Sequence, residues 1–376
     1  MRIGIDVRAL SFGECGITRY INSLLEQLVL LDKDNTYVLY LNKYQEIDYI
    51  KRRLNFSIEV IPATFLIYKY ILLPFCLIKD KIDVFHTMTH ELPMFVFCKK
   101  VSTFYDLNLE KLPHLYLLKL RLLSYLGISE YSAKAADKII AISENTKLDL
   151  VKIYKVPANK ISVTLLAADQ SFKPIDKKAA SLAVSKRIKT DQPFVLYVGQ
   201  IRERKNFSRM LDAFKVIKQR GLPHKLVLIG HNEKGIEFYD LNTAIDSRGL
   251  SKDVIYIPDC NGTYELSLFY NACDLFLYVS LYEGFGLPIL EAMSCAAPVV
   301  TSNLASMPEV AGDAAMLINP YNTLEISDAM FNVLTNEKLR EKLITKGIER
   351  AQRFSWEKTA QQTLSVYQSF FANPNA

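Results

Sequence analysis

Two carboxylates with an unusual spacing are the strongest candidates for chemistry in this sequence. Glu283 and Glu291 are separated by seven residues that include Gly284, Gly286 and Pro288. An apolar, strand-like run precedes them, and the proline favours the start of a helix. Glycines let a ligand approach the backbone, and amides at a helix start bind anions. Because a carboxylate can accept two hydrogen bonds from a diol, the pattern favours a phosphate flanked by sugar hydroxyls. The alternative is a capped helix with one surface glutamate and one glutamate that stabilises the helix dipole.

A basic turn follows a second apolar run. It begins at Gly199 and contains Arg202, Arg204 and Lys205 just before a helical pattern. Cations at the start of a helix oppose its dipole, so their presence is explained if an anion lies between them and the amides. An arginine can bind a diphosphate in a bidentate manner, and a lysine can add a point charge. A solvated basic turn is the alternative.

Weaker candidates follow strand-like runs in the first half of the chain. The turn at Gly16 lacks the GxGxxG pattern of dinucleotide sites, so a plain strand-to-helix turn is the alternative to a phosphate or sugar contact. Tyr105–Asp106 ends a strand and is a candidate for the ligand-binding edge, or else a capping aspartate beside a half-buried tyrosine. His86 and His90 have no HExxH motif or cysteine partner, which argues against a metal site.

These candidates all lie next to strand-like apolar runs. Such runs alternate with helical patterns along the chain and form two series. The first series starts at Arg2–Asp6 and the second at Phe194–Val198. Such alternation predicts an α/β fold with parallel sheets covered on both faces, and ligands bind outside the carboxyl ends of such strands. We predict a first domain at 1–173, a linker at 174–192, a second domain at 193–355 and a final helix at 356–376.

Composition narrows the class of protein. The chain has 376 residues, enough for two domains at about 150 residues each. Half of the residues are hydrophobic and 23% are charged, which excludes a disordered or collagen-like protein. The six cysteines form no CxxC pair and are typical of reduced cytosolic thiols. Since the N-terminus does not resemble a signal peptide and no apolar run reaches about 18 residues, we expect a cytoplasmic protein.

Two apolar stretches also carry basic residues, at 65–81 and 112–126. The second is typical of an interfacial helix, and such a surface suits a lipid-linked acceptor. A buried core helix is the alternative. The net charge of +6 permits a peripheral contact with an anionic membrane on its inner face. Basic residues are dispersed and no nucleic-acid-binding module is present, so we expect no nucleic acid partner.

Over nearly its whole length, the sequence resembles the retaining glycosyltransferases of family 4, also called glycosyl transferases group 1. The resemblance is most specific in the C-terminal half, in YVGQIRERKN, SLYEGFGLPILEAMSCAAPVVTSN, SMPEVAGDAAMLINP and FSWEKTA. It is looser in the N-terminal half, in GIDVRAL, GITRYI, AISENTKLDL and LAADQSF.

The resemblance implies the GT-B fold, in which two doubly wound Rossmann-like domains face each other across a cleft. The nucleotide-sugar donor would bind the C-terminal domain and the acceptor the N-terminal one, and the last helix would cross back to the N-terminal domain. By position, Glu291 would hold the ribose, Glu283 would contact the donor sugar, and Arg204 and Lys205 would neutralise the diphosphate without a metal or other cofactor. The implied catalytic residues are Glu283, Arg204, Lys205 and Asp106, and the implied donor-binding residues are Gly16, Gly199, Arg204, Lys205, Glu283, Gly284, Phe285, Gly286, Leu287 and Glu291.

Three positions depart from the family pattern. Tyr105 stands where a histidine is common, and Thr18 and Ala296 stand where glycine is usual. The expected function is transfer of a hexose, with mannose from GDP-mannose as the best guess, to a glycan or lipid-linked acceptor in polysaccharide or lipopolysaccharide biosynthesis. A nucleotide-sugar epimerase and a catalytically silent partner subunit, which Tyr105 favours, are the alternatives.

Overall fold

A computed structural model describes residues 1–13, 16–50, 53–115, 127–232 and 239–371. These residues divide into two units. The first unit contains the described residues of 1–111, 127–166 and 355–371, and the second contains 112–115 and the described residues of 167–354. Most of the apolar stretch 112–126 lies outside the described residues.

The first unit is built on a seven-stranded parallel sheet. Its strands are β1 (Arg2–Asp6), β2 (Thr36–Leu41), β3 (Phe56–Val60), β4 (Val84–Thr87), β5 (Lys99–Phe104), β6 (Lys138–Ala141) and β7 (Ile161–Val163), in the order β3-β2-β1-β4-β5-β6-β7. Strand order therefore reverses at β1, which pairs with β2 on one side and β4 on the other. In open α/β sheets, ligands bind at the carboxyl ends of the strands at such a switch point.

Helices connect these strands. They are α1 (Gly16–Leu31), α2 (65–79), α3 (Asn108–Lys111), α4 (Ile128–Ala135) and α5 (Glu144–Tyr154). Helix α2 starts as Phe65–Ile67, widens into a π-helical turn at Tyr68–Leu72 and ends as Leu73–Lys79. Its buried residues and those of β4, β5 and β6 share one apolar core. A π-helical turn within an α-helix is frequent at functional sites.

The second unit repeats the same topology with six strands. They are β8 (Phe194–Val198), β9 (Lys225–Ile229), β10 (Val254–Ile257), β11 (Leu275–Tyr278), β12 (Val299–Ser302) and β13 (Met316–Ile318), in the order β10-β9-β8-β11-β12-β13. Its helices are α6 (Lys177–Ile188), α7 (Phe207–Gln219), α8 (Leu241–Asp246), α9 (Gly262–Ala272), α10 (Leu287–Ser294), α11 (Met307–Ala311), α12 (Thr323–Thr335) and α13 (Glu337–Ala351). The switch point lies between β8 and β11. The prediction of two doubly wound Rossmann-like domains is confirmed.

The segment predicted as a linker at 174–192, in which the sequence also indicates a possible short helix near 178–187, is mostly occupied by α6, which packs against α9. Asp176 caps the helix by accepting a hydrogen bond from the amide of Ala179, and every fourth residue from Ala180 is buried. The helix has a strongly polar outer face, so its narrow apolar stripe was too weak to favour a packed element over a loop. The second unit also begins earlier than predicted, because the Phe172 ring packs on Tyr270 at 5.7 Å.

The chain returns to the first unit in its last helix, α14 (Trp356–Gln368), which packs against α1. The Thr359 hydroxyl donates a hydrogen bond to the carbonyl of Leu165, and the Tyr367 hydroxyl lies 2.6 Å from Nδ1 of His86. The other ring nitrogen of His86 lies 2.8 Å from the Thr103 hydroxyl. The C-terminal helix is therefore held to the centre of the first sheet through a buried histidine.

His86 makes the stability of the first unit depend on pH. Burial lowers its pKa from 6.5 to about 3, so below pH 6.5 the unfolded chain binds a proton that the folded chain refuses. The contribution of the neutral His86 to the free energy of unfolding is complete above pH 6.5 and is lost as the pH falls towards 3. We expect His86 to reduce the free energy of unfolding by about 2 kcal/mol between pH 7 and pH 5.

Urea unfolding at the two pH values, followed by the fluorescence of Trp356, measures this effect, since Trp356 is the only tryptophan and lies on α14. His86→Gln should lose about 2 kcal/mol less than the wild type over this interval. His231→Gln is the matched control, because that side chain is half exposed. Equal pH dependence in the wild type and His86→Gln would contradict the prediction.

Candidate active site

Two cations and one carboxylate meet at the switch point of the second sheet. Arg204 and Lys205 lie in the 3-10 turn that follows β8, and Glu283 lies in the loop that follows β11. Nζ of Lys205 donates to Oε1 of Glu283 and, at 2.8 Å, to the Tyr278 hydroxyl. Nη1 of Arg204 donates to Oε2 of Glu283 at 3.2 Å and to the carbonyl of Tyr282 at 3.1 Å. The sequence thus brings together three of its predicted catalytic residues, which we call the Arg204–Lys205–Glu283 triad.

The triad is nearly closed to solvent, and this determines its electrostatics. Glu283 is 8% exposed and Lys205 is 5% exposed. Burial alone would raise the pKa of Glu283, but the Lys205 ammonium and the Arg204 guanidinium outweigh it and lower that pKa to about 2. The carboxylate is therefore ionised at neutral pH, and two positive charges share one negative charge. The triad keeps a net positive charge at low local dielectric, which is a favourable environment for a phosphate.

An aromatic layer supports Lys205 from below. The ammonium lies 5.0 Å from the ring centroid of Tyr278, which stacks between Tyr197 at 5.9 Å and Phe276 at 5.8 Å. These rings belong to the paired strands β8 and β11, so the pairing of the strands determines where the Lys205 ammonium lies relative to the rings. Sequence analysis missed Tyr278 because it reads as one more apolar strand residue.

Asn206 fixes the basic turn. It has a φ of +66°, in the left-handed region that asparagine tolerates better than most residues. Its buried side-chain amide donates to the carbonyls of Val279 and Pro320. The turn that carries Arg204 and Lys205 is thereby tied to the residue that follows β11.

The glycine loop before α10 is held by a serine that sequence analysis also missed. The buried Ser306 hydroxyl lies 2.9 Å from the carbonyl of Glu283 and 2.7 Å from that of Phe285. Gly286 has a φ of +109° and precedes Leu287, where α10 begins. The Phe285 ring is buried against Phe354, so the predicted donor contact of the segment containing Gly284, Phe285, Gly286 and Leu287 would come from the backbone.

Glu291 lies inside α10 and is 2% exposed. The Tyr270 hydroxyl donates a 2.8 Å hydrogen bond to its Oε2, which fixes the carboxylate against α9. A carboxylate held in this way is oriented before a ligand arrives. Its predicted contact with a ribose stays a prediction.

Gly199 marks a close approach between two strand ends. It has a φ of +145°, and its amide donates to the carbonyl of Ile229. A Cβ at Gly230, the residue after β9, would lie 2.0 Å from the carbonyl oxygen of Gly199. Gly230 was not singled out from the sequence, although the strand-then-glycine pattern there matches that of Gly199.

The remaining predicted site residues lie in the first unit. Gly16 is the first residue of α1, and the Thr18 hydroxyl donates to the carbonyl of Gly13 in the preceding turn. The Tyr105 hydroxyl donates to the carbonyl of Met88, and Asp106 accepts a hydrogen bond from the amide of Asn108. These contacts match the capping interpretation of this pair, and the catalytic role of Asp106 stays a prediction.

His86 has both ring nitrogens occupied by hydroxyl groups, as described above. Within the described ranges, no group of three or more His, Cys, Asp or Glu residues is arranged to hold a metal ion. Of the described helices, none has both the length and the apolar character needed to cross a bilayer.

Solved structures share this fold over almost the whole chain. Sucrose-phosphate synthase from Thermosynechococcus elongatus aligns with a TM-score of 0.79 at 19% identity, covering 99% of each chain. Anabaena Alr3699/HepE in complex with UDP-glucose aligns with a TM-score of 0.78 at 16% identity, covering 98% of this chain and 100% of that one. The two Rossmann-like units therefore define the GT-B fold of glycosyltransferases, as predicted.

Sequence comparison identifies the family. A model described as glycosyl transferases group 1 matches residues 180–350. O-antigen chain mannosyltransferase B of Escherichia coli is 32% identical over 274 residues, which cover 72% of this chain and 70% of that protein. Serotype-specific mannosyltransferase WbdA of Escherichia coli is 31% identical over 229 residues, covering 60% of this chain and 28% of that protein. The chain belongs to the glycosyl transferases group 1, so the predicted family is confirmed.

Ala296, one of the three departures from the family pattern, has a backbone conformation that favours glycine. Ala296 has a φ of +59° and follows α10 in a Schellman motif, in which the amide of Ala297 donates to the carbonyl of Ala292. Glycine is favoured there because a Cβ is strained in the left-handed region. We expect Ala296→Gly to raise the free energy of unfolding of the second unit by about 1 kcal/mol.

Calorimetry of both melting transitions measures this change. Ala297→Gly is the matched control, because Ala297 is buried and its φ is not positive. That variant should lower stability, since it loses a packed methyl group and gains backbone entropy when unfolded. A destabilised Ala296→Gly would show that the strain is not significant.

Proposed function

We propose that this glycosyltransferase transfers mannose from GDP-mannose, with retention of configuration, to a glycan or lipid-linked acceptor during lipopolysaccharide O-antigen synthesis. The observation that carries the nucleotide-sugar part is the buried Arg204–Lys205–Glu283 triad at the switch point of the second sheet. The choice of mannose and of O-antigen is supported by the names of the two Escherichia coli relatives.

The chemistry of the donor fits these groups. When the bond between the anomeric carbon and the diphosphate oxygen breaks, negative charge grows on the leaving group. Arg204 and Lys205 are already in place and desolvated, so they stabilise that charge with little reorganisation. In this role they supply the positive charge that a metal ion supplies in other transferases.

In the proposed mechanism, retention results from attack by the acceptor on the side from which the diphosphate leaves. In the proposed step, the acceptor hydroxyl oxygen forms the new bond to the anomeric carbon, and its proton passes to the departing phosphate oxygen. Glu283 would orient the cations and contact the donor sugar, while Glu291, fixed by Tyr270, would bind the ribose diol. The loop amides before α10 would contact the sugar or phosphate.

Thermal shift and initial-rate measurements test the proposal. Among GDP-mannose, UDP-glucose, UDP-N-acetylglucosamine, UDP-galactose and ADP-glucose, GDP-mannose should raise the melting temperature most, because it stabilises the folded state on binding. Arg204→Gln should lower kcat by about 100-fold, since one charge-stabilising donor is lost. The control is Arg220→Gln, whose guanidinium lies over Phe331 at 5.0 Å and pairs with Asp328 rather than with Glu283.

The alternatives give different results in the same experiment. Donor binding without transfer to any glycan would favour the silent partner, and a changed sugar on the nucleotide without an acceptor would favour the epimerase. Unchanged turnover in Arg204→Gln would contradict the role given to the triad. Because Arg204 and Lys205 take the place of a metal ion in the proposed step, sugar transfer should continue in the presence of EDTA.

We also propose that the first unit contacts an anionic bilayer. Large apolar side chains are exposed on one run of α2 and on the loop after β4, and we call them the apolar surface: Leu66, Ile67, Ile71, Phe75, Ile78, Met94, Phe95 and Phe97. The partly buried residues between them, Cys76 and Val96, pack against the same core cluster, so both segments cover that cluster. Exposed lysines at 79, 81 and 99 flank this surface and match the charge of anionic lipids.

Sedimentation with phosphatidylcholine vesicles containing 30% phosphatidylglycerol tests the contact. Phe75→Ser combined with Phe97→Ser should weaken binding about tenfold or more, because two large apolar side chains no longer enter the interface. Leu324→Ser removes an equally exposed side chain from the second unit and is the control. Binding that is equal in the double variant and the wild type would exclude this surface.

A further inference from the structure

A second charged cluster lies at the switch point of the first sheet. Asp6 ends β1, Arg8 follows it, and Glu91 lies in the loop after β4. The fourth member, Lys69, is carried by the π-helical turn of α2. The cluster therefore occupies the same topological position in its sheet as the Arg204–Lys205–Glu283 triad occupies in the second.

Glu91 is the residue on which both cations converge. Its Oε2 lies 2.7 Å from Nη2 of Arg8 and 3.6 Å from Nζ of Lys69. Asp6 is 3.7 Å from Nε of Arg8 and accepts a hydrogen bond from Tyr68. Arg8 is 5% exposed and Lys69 is 1% exposed, whereas Glu91 is 30% exposed and opens the cluster to solvent.

The two cations have unsatisfied donors. Nε and Nη1 of Arg8 and Nζ of Lys69 have no hydrogen-bond acceptor in the described part of the chain. The 3.6 Å contact of Lys69 with Glu91 is an ion pair that is too long for a hydrogen bond, and a buried donor without a hydrogen bond costs stability. Burial lowers the pKa of Lys69, although Glu91 opposes this. A network that served stability alone would satisfy these donors or replace them with apolar side chains.

The composition of the cluster indicates what would satisfy them. Two cations face two carboxylates, so an added anion would meet Asp6 and Glu91 as well as Arg8 and Lys69. A neutral ligand with several hydroxyl groups fits better, since hydroxyls accept from the cations and donate to Glu91. The half-exposed ring of Phe65 lies 4.4 Å from Cζ of Arg8 and 5.3 Å from Nζ of Lys69, and adds an apolar face beside these polar groups.

We propose that Arg8, Lys69, Glu91 and Phe65 form a binding subsite for a saccharide ring of the acceptor glycan. A vicinal diol would accept hydrogen bonds from Arg8 and Lys69 and donate one to Glu91, and the ring would lie against Phe65. This inference rests on the proposed function, because it takes the acceptor to be a glycan. It assigns a binding role to Arg8, the arginine of the GIDVRAL motif. The proposed donor site gives this residue no role.

Isothermal titration with mannobioses of several linkages, in the absence of donor, tests the subsite. Lys69→Met should weaken the binding of the best mannobiose tenfold or more. It should also keep or raise the melting temperature, because an unsatisfied buried ammonium is replaced by an apolar side chain of similar length. Lys134→Met, in the same unit but exposed and paired with Glu130, should change neither quantity.

Two results would overturn the subsite. If Lys69→Met lowers the melting temperature and leaves mannobiose binding unchanged, the cluster is a structural ion network. If inorganic phosphate binds the wild type more tightly than any mannobiose and loses affinity in Lys69→Met, the cluster is an anion site. The thermal shift with GDP-mannose separates this test from the proposed function, since Lys69→Met should retain that shift even when saccharide binding is lost.

Discussion

The pairing of the buried Lys205 and the partly buried Arg204 with one carboxylate constrains the second unit more than any other interaction described. Lys205 and Arg204 follow β8, and Glu283 follows β11, so their contact exists only while these two strands are neighbours. Removing Glu283 would leave two cations in a low-dielectric environment, which is far more costly than the pair is stabilising. The register of the sheet, the aromatic layer under Lys205 and the bond from Ser306 all serve to hold these charges at one edge.

The two units apply the same topology to different chemistry. In each, a cation-bearing segment follows the strand at which strand order reverses, and a carboxylate follows the next strand beyond it. The triad in the second unit has an excess of positive charge, whereas the cluster of Asp6, Arg8, Lys69 and Glu91 is balanced. A parallel sheet provides the edge in both units, and in our two proposals the residual charge distinguishes a site for a phosphate from a site for an uncharged, hydroxyl-rich ligand.

Local patterns were sufficient to single out Arg204, Lys205 and Glu283, because each follows an apolar strand and stands in a motif with a family resemblance, but they did not predict that these residues pair with one another. Such patterns were not sufficient for Lys69, which is one cation in an apolar run and becomes informative only once its burial is known. The same reason explains why the sequence indicates a possible short helix at 178–187 but does not predict its packing against the second unit. Tyr278 and Ser306 are ordinary residues in sequence, and their importance comes from what the fold places beside them.

The return of α14 to the first unit affects the order in which the chain matures on the ribosome. The apolar face of α1 is covered by residues after 355. All strands of the first sheet, in contrast, lie before residue 166. At about 5–20 residues per second, synthesis of the intervening segment takes roughly 10–40 s. During that interval the first unit has an uncovered helix face, while the second unit can complete its own core. The part of the protein that is made first is therefore the part that matures last.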